Sequence, residues 1–286
     1  MLNYSRIART ESVDSVRFFK SMSADYKHFA IHLGQSAGEI IRRNFVLGMK
    51  KEWKSDATPL TETDRTINQM VINAVKAKYP DHNILAEEGD ALSGQSDFVW
   101  VCDPLDGTIP FSHGIPMCTF SLALVHRGKT IIGVIYDPFM DRMFVAERGK
   151  GAFLNDEPIH VSKRNSIKQS MFGMVYWKNA PFDFSICTEV LRNEQAKIVV
   201  IASIAYMAAL VAGGEFVATL FPGDKPHDSA ALSVIVEEAG GKVTDVYGNA
   251  QRYDRPIRGH IASNGILHAQ LVALVEKTVL RDEKKS

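Results

Sequence analysis

The sequence predicts a layered α/β chain of the α+β kind, with two sheets covered by helices. Three patterns predict it. Two helices with one apolar face stand near the N-terminus, an antiparallel meander follows, and strands alternate with helices after Ser170.

From 27 to 45, apolar residues fall at Phe29, Leu33, Ala37, Ile40, Ile41 and Phe45, which is helical spacing. A polar segment, 50–63, contains Pro59. A second helix is predicted over 64–78, with Ile67, Met70, Val71, Ala74 and Val75 on one side. Thr63 or Asp64 would cap it, and Tyr79-Pro80-Asp81 would stop it. Segments 84–86 and 98–102 read as strands, the first ending in Glu87-Glu88-Gly89 and the second in Asp103. Segments 119–126, 130–136 and 142–147 alternate with the turns Arg127-Gly128-Lys129 and Asp137-Pro138, an antiparallel meander. Later strands are predicted at 171–177, 198–201, 216–220, 242–247 and 260–263. A helix over 228–239 has Pro226 before it and Gly240-Gly241 after it, and 266–280 reads as a final helix.

At 286 residues the chain reads as an N-terminal extension (1–21) and one domain (22–286), with halves at 22–165 and 166–286. Residues 1–21 are polar and mixed, without the apolar core of a signal peptide, and Met22 is an alternative start. The longest apolar run, 198–212, is interrupted by Ser203 and falls short of the ~18 residues of a membrane span. No membrane partner is expected.

Hydrophobic residues make up 45% of the chain and charged residues 23%, enough apolar material for a sizeable core. Lys+Arg and Asp+Glu balance at 33 each, which argues against nucleic acid as the main partner. Cys102, Cys118 and Cys187 form no Cys-x-x-Cys pair and read as reduced, buried thiols of a cytoplasmic protein.

The chemistry-bearing stretch is Asp103-Pro104-Leu105-Asp106-Gly107-Thr108, directly after the apolar run 98–102. Two close carboxylates at the mouth of a buried strand repel each other unless a cation lies between them. Hard divalent cations prefer oxygen ligands, and Mg²⁺ leaves part of its shell to water or phosphate. Leu105 can add a backbone carbonyl, and Gly107 permits unusual dihedrals. The same residues also make ordinary turns. Four further pieces stand at element boundaries. One of Glu87 and Glu88 can join Asp103, since neighbours on a strand face opposite ways. Asp64 and Asp228, at helix starts, read equally as caps. Lys54 lies in a polar loop.

In order and spacing these pieces resemble the inositol monophosphatase family. The motifs are Lys54-Ser55, Pro59 to Asp64, Glu87-Glu88-Gly89, Asp103 to Thr108, Asp228-Ser229-Ala230-Ala231 and Glu237-Glu238-Ala239-Gly240-Gly241. The likeness spans roughly 27–275, and Arg148 to Phe153 is a further familiar hairpin. The resemblance implies an αβαβα sandwich, often a homodimer, and a Mg²⁺-dependent, lithium-sensitive phosphomonoesterase. It implies that Glu87, Asp103 and the Leu105 carbonyl hold a first Mg²⁺, and that Asp103, Asp106 and Asp228 hold a second. A third, weaker ion would sit near Glu87. Asp64 and Thr108 would activate the attacking water, and the Gly107 and Thr108 amides would face the phosphate.

The chain departs from that pattern at places that bear on substrate. His227 stands where the family usually has Trp, either packing without chemistry or contacting the leaving group. Ile109-Pro110-Phe111 follows the Asp-Gly-Thr, and Pro110 removes a backbone donor. Phe221 occupies the place of a Glu that binds sugar hydroxyls, and Ala205-Tyr206-Met207 replaces a small inositol-contacting segment. Tyr206, Phe221 and His227 are therefore expected to line an altered substrate pocket. The predicted partner is a small phosphorylated metabolite; the histidinol phosphate, fructose 1,6-bisphosphate and 3′-phosphoadenosine 5′-phosphate branches stay open. A non-catalytic metal-binding regulator of the same fold is the competing class, and it predicts eroded ligands.

Overall fold

The computed structural model describes residues 13–54, 59–88 and 94–279, with backbone alone for 13–24. Residues 1–12 of the expected extension, Ser55, Gly89 and the end of the last predicted helix (280) lie outside the described residues. In chain order the first elements are α1 (Val13–Asn44), β1 (Glu52–Trp53), β2 (Pro59–Leu60), α2 (Glu62–Lys78), β3 (Asn83–Ala86) and β4 (Phe98–Asp106). Then come α3 (Thr108–Ser112), β5 (Thr119–His126), β6 (Lys129–Asp137), β7 (Arg142–Glu147), β8 (Ala152–Leu154) and β9 (Glu157–Pro158). The second half contains β10 (Met171–Met174), α4 (Ser185–Asn193), β11 (Lys197–Val199), α5 (Ile204–Ala212) and β12 (Ala218–Phe221). A 3₁₀ turn (Pro226–Asp228) leads into α6 (Ala230–Glu238), followed by β13 (Lys242–Thr244), β14 (His260–Ser263) and α7 (His268–Thr278).

Two large sheets carry the fold. The first has the order β3-β4-β5-β6-β7-β8-β9 and is antiparallel except for the parallel pair β3–β4. The second has the order β11-β10-β12-β14-β13, with β11, β10 and β12 parallel and the last two pairings antiparallel. α1 and α2 cover one face of the first sheet through Ile41, Val71, Trp100 and Leu122. α5 and α6 lie between the sheets, where Ala123, Ile135, Met207, Val234 and Ala262 share one core. α4 and α7 close the far face of the second sheet through Phe172, Leu191, Ile261 and Leu271. The expected five-layer αβαβα order is the observed one.

Several boundaries differ from the sequence reading, each for a physical reason. α1 begins at Val13 rather than 27, so the helix takes in part of the expected extension. β1 and β2 pair inside the segment read as merely polar. α2 starts earlier, with Thr61 as its N-cap and Asp64 in the first turn. β4 runs on to Asp106 because the ladder resumes there against Thr119, after a register shift between Asp103 and Asp106. Pro104 lies in that shift and has no N–H to give. Asp228 is not the cap of α6; Ser229 is, and Asp228 closes the turn before it. β10 stops at Met174 instead of 177, where its partners run out at Val199 and Leu220. α4 was not individually legible in the sequence.

Contacts across the layers explain two motifs. Glu238 accepts hydrogen bonds from the Gly149 and Gly151 amides, both at 2.9 Å, and Arg148 pairs with Glu237. The acidic end of α6 therefore locks onto the β7–β8 hairpin. At its other end α6 presses on β6. A Cβ on Gly133 would lie 2.5 Å from the Ala231 carbonyl oxygen and 2.7 Å from Val234 Cγ1. Gly133→Ala should therefore cost about 1–3 kcal/mol of stability through overpacking. Urea unfolding would show a lowered midpoint with an unchanged slope; an unchanged midpoint would mean that α6 does not pack this closely.

Candidate metal centre and active site

Acids from two distant parts of the chain meet at one end of the first sheet. One carboxylate oxygen each from Asp103, Asp106 and Asp228 lie within 4.8 Å of one another. Among the described residues this is the one such cluster of acidic, histidine or cysteine ligands. Asp103 and Asp106 come from the broken end of β4, and Asp228 from the 3₁₀ turn that packs against β4 and β5. Asp103 and Asp106 are buried and Asp228 is partly buried.

Burial pushes Asp103 well above the ordinary carboxylate range, and the charges of Glu87, Asp106 and Asp228 push it further. Burial, Glu87 and Asp106 do the same to Asp228. Asp106 is raised by burial to about 6, although four donors counter that rise. Ile204 N–H donates to its Oδ1 at 3.1 Å, and Ala205 N–H and Thr119 Oγ1 donate to its Oδ2 at 2.9 and 3.2 Å. The Ser203 hydroxyl is the fourth. Three carboxylates in this position hold either protons or a cation. The donors are oxygens throughout, which suits a hard divalent ion better than one that favours nitrogen and sulfur.

Glu87 stands beside this trio rather than within it. Its carboxyl is within hydrogen-bond reach of Asp103, and Lys54 Nζ donates to its Oε1 at 2.8 Å. Burial opposes its charge, but His227 and Lys54 outweigh burial and hold it below the ordinary range. The same ammonium pairs with Glu88, whose carboxyl burial raises. Lys54 is thus a paired residue, not a solvated one.

Asp64 reconciles its two possible roles by dividing its oxygens. Oδ2 accepts the Thr61 N–H at 2.8 Å and also the Thr61 hydroxyl, which caps α2. Oδ1 lies 3.0 Å from Thr108 Oγ1. Burial raises the Asp64 carboxyl above its ordinary value. The Thr108 hydroxyl is also 2.9 Å from the Leu105 carbonyl oxygen. Gly107 adopts φ 97°, and a Cβ there would lie 2.8 Å from the Met117 carbonyl oxygen. A side chain at 107 would thus be both strained and crowded. Pro110 falls in the first turn of α3, where a missing N–H costs no intrahelical bond.

The expected pocket residues fare differently. The Tyr206 hydroxyl accepts from Arg142 Nη1 at 3.1 Å and also bonds Asp137, so it is already engaged. Phe221 is 4% exposed, its ring packed on those of Trp177 and His260. His227 is largely buried, with Nε2 4.0 Å from Asp228 Oδ2, and burial lowers its pKa. The three cysteines are buried free thiols.

Ser203 and Thr119, which hold Asp106, and Asn68, whose amide donates to the Glu88 carbonyl, were missed in the sequence. Ser203 had left one signal, as the polar break in the run 198–212.

The fold and this constellation have known counterparts. A profile of the inositol monophosphatase family matches residues 23–280. The chain is 35% identical over 221 residues to a fructose-1,6-bisphosphatase/inositol-1-monophosphatase of Thermotoga maritima, covering 77% of this chain and 83% of that one. It is 32% identical over 248 residues to the Nus factor SuhB of Pseudomonas aeruginosa, covering 82% and 90%. Among solved structures, the Thermotoga maritima IMPase aligns with TM-score 0.79 and 32% identity over 88% of this chain and 97% of that one. The extragenic suppressor protein suhB of Bartonella henselae aligns with TM-score 0.81 and 29% identity, over 87% and 98%. This chain belongs to the inositol monophosphatase family. It is a phosphoric monoester hydrolase of that superfamily.

The carboxylate cluster makes stability depend on pH in a stated direction. A folded-state pKa of about 6 for Asp106 exceeds its ordinary 3.8, so the folded state binds the extra proton. Without a cation, that contribution is present at low pH and is lost as pH rises through about 6. A divalent ion should therefore raise Tm far more at pH 7.5 than at pH 5, measured against chelator. Equal shifts at the two pH values would remove the cluster as the binding site.

Proposed function

We propose that this protein is a Mg²⁺-dependent phosphatase that hydrolyses a small phosphomonoester by direct attack of water, with a pocket unlike that of the inositol-specific enzymes. The observation that carries this reading is the carboxylate trio Asp103, Asp106 and Asp228, two of them buried, beside the Asp64–Thr108 pair. All the expected ligands are present, which counts against a non-catalytic regulator of the same fold.

Glu87, Asp103, the Leu105 carbonyl, Asp106 and Asp228 would hold two Mg²⁺ ions, with a third, weaker one near Glu87. Mg²⁺ supplies positive charge against the phosphate and leaving oxygens and lowers the pKa of the attacking water. The protein's own part is positioning and proton handling. With its hydroxyl donating to Asp64, Thr108 keeps a lone pair for a proton of the water. Burial raises the Asp64 carboxyl, which makes it a better base near neutral pH. The water oxygen forms the new P–O bond and passes a proton through Thr108 to Asp64; the ester P–O bond breaks, and the leaving alkoxide takes its proton from solvent water. Four donors fix Asp106, so the cluster is organised before substrate arrives. The Gly107 and Thr108 amides face the phosphate. His227, beside Asp228, contacts the leaving group. The working form is a cytoplasmic homodimer, sensitive to Li⁺.

A panel of phosphomonoesters assayed with Mg²⁺ and with chelator tests the reaction. Phosphate release should require the ion, and release undiminished by chelator would defeat the reading. Asp103→Asn should lose at least ~100-fold in kcat, the upper end of what even supporting residues of metal sites cost. It should also raise the Tm of the metal-free protein by removing a buried charge. Asp64→Asn and Thr108→Ala should each lower kcat by about 100-fold or more with little change in KM. With Phe221 offering no hydroxyl acceptor, myo-inositol 1-phosphate should be among the poorer substrates. A kcat/KM for it above every other ester in the panel would contradict the altered pocket.

A further inference from the structure

The early end of β10 leaves two large aromatic side chains in an unusual place. β10 is the middle strand of three parallel ones, between β11 and β12. Ligands of such sheets bind at the carboxyl ends of the strands, among the loops that leave them. The loop after β11 brings Ser203, Ile204 and Ala205 to Asp106. The loop after β12 brings Asp228 to the cluster. The loop after β10 therefore emerges between the two segments that complete the carboxylate centre.

Its opening residues include Tyr176, 70% exposed, and Trp177, 47% exposed. Val200, on the neighbouring loop, is 49% exposed. Large apolar side chains left exposed on adjoining loops are candidates for binding a ligand. Trp177 is also held from behind. Its ring centroid lies 5.9 Å from that of Phe221, which is 5.2 Å from that of His260. His260 Nδ1 in turn lies 2.7 Å from Ser229 Oγ, next to Asp228. A chain of packed groups thus runs from the exposed indole to the segment that carries a metal ligand. An indole that is 47% exposed and packed at a tilt on a buried ring can stack on a ligand, and stacking tolerates any planar ring.

We propose that Trp177 determines specificity by stacking on a planar ring in the leaving-group alcohol, so that the substrate class is phosphomonoesters of ring-bearing alcohols. This rests on the phosphatase reading above. Phe221 reinforces the preference from within, since it stiffens the indole and offers nothing to a polyol.

Two substrate pairs that differ mainly in the aromatic ring test it: adenosine 5′-monophosphate against ribose 5-phosphate, and 2-phenylethyl phosphate against 2-cyclohexylethyl phosphate. The aromatic member should have the higher kcat/KM by ~10-fold, the low end of base–aromatic stacking. Trp177→Ala should abolish that advantage by lowering the aromatic members much more than the non-aromatic ones, and Trp177→Phe should keep most of it. No advantage in the parent enzyme, or equal losses for both members in Trp177→Ala, would overturn the proposal. Should no ester in either pair or the wider panel release phosphate with Mg²⁺, the phosphatase reading falls by itself. Adenosine then decides the ring site, because its binding needs no turnover. Saturable quenching of tryptophan fluorescence that survives Trp53→Phe and vanishes in Trp177→Ala supports stacking, and its absence in the parent refutes it.

Discussion

Mutual repulsion among Asp103, Asp106 and Asp228 is the constraint on which the rest of the structure depends. Three acids within 4.8 Å and largely out of water cannot all stay ionised without a counter-charge. The surroundings only partly supply it. The start of α5, Thr119 and Ser203 solvate Asp106, and Lys54 neutralises Glu87, but Asp103 and Asp228 remain far above the ordinary carboxylate range. The remainder is an unmet negative charge, which a hard cation held by oxygen ligands would neutralise.

That electrostatic need is met by layering. The first sheet contributes Asp103 and Asp106 from β4; the inter-sheet layer contributes the amides at the start of α5 and, through the turn before α6, Asp228. The two sheets meet their site only where α5 and α6 lie between them. The close approach of α6 to Gly133, and the clasp of Glu237 and Glu238 on the β7–β8 hairpin, fix the helix that follows Asp228 at both ends. Packing and the geometry of the cluster are therefore not separable here. A shift of α6 along β6 would move Asp228 relative to Asp103 and Asp106.

Much of this was legible in the chain itself. The meander strands β5 and β7 begin and end where alternation and turn residues placed them, and the middle one differs by a residue at each end. Asp103 and Asp106 were legible because strand, Pro and Gly signals coincide in six residues. Ser203 and Thr119 were not, because a hydroxyl beside an apolar run carries no mark of a partner 97 or 13 residues away. The end of β10 was illegible for a related reason. A strand stops where its pairing stops, and the pairing partners of β10 are β11 and β12, both remote in sequence.

What the sequence determined by itself was the inventory: acids and hydroxyls at element boundaries, helices with one apolar face, and strands whose period fits two covered sheets. These follow from local rules, the fixed periods of helix and strand and the turn chemistry of Pro, Gly and Asp. Tertiary structure alone decided which acids share a cluster, that one oxygen of Asp64 caps while the other faces Thr108, and that Phe221 packs on Trp177. Those outcomes depend on distances between segments remote in sequence, which only the packing of three cores sets.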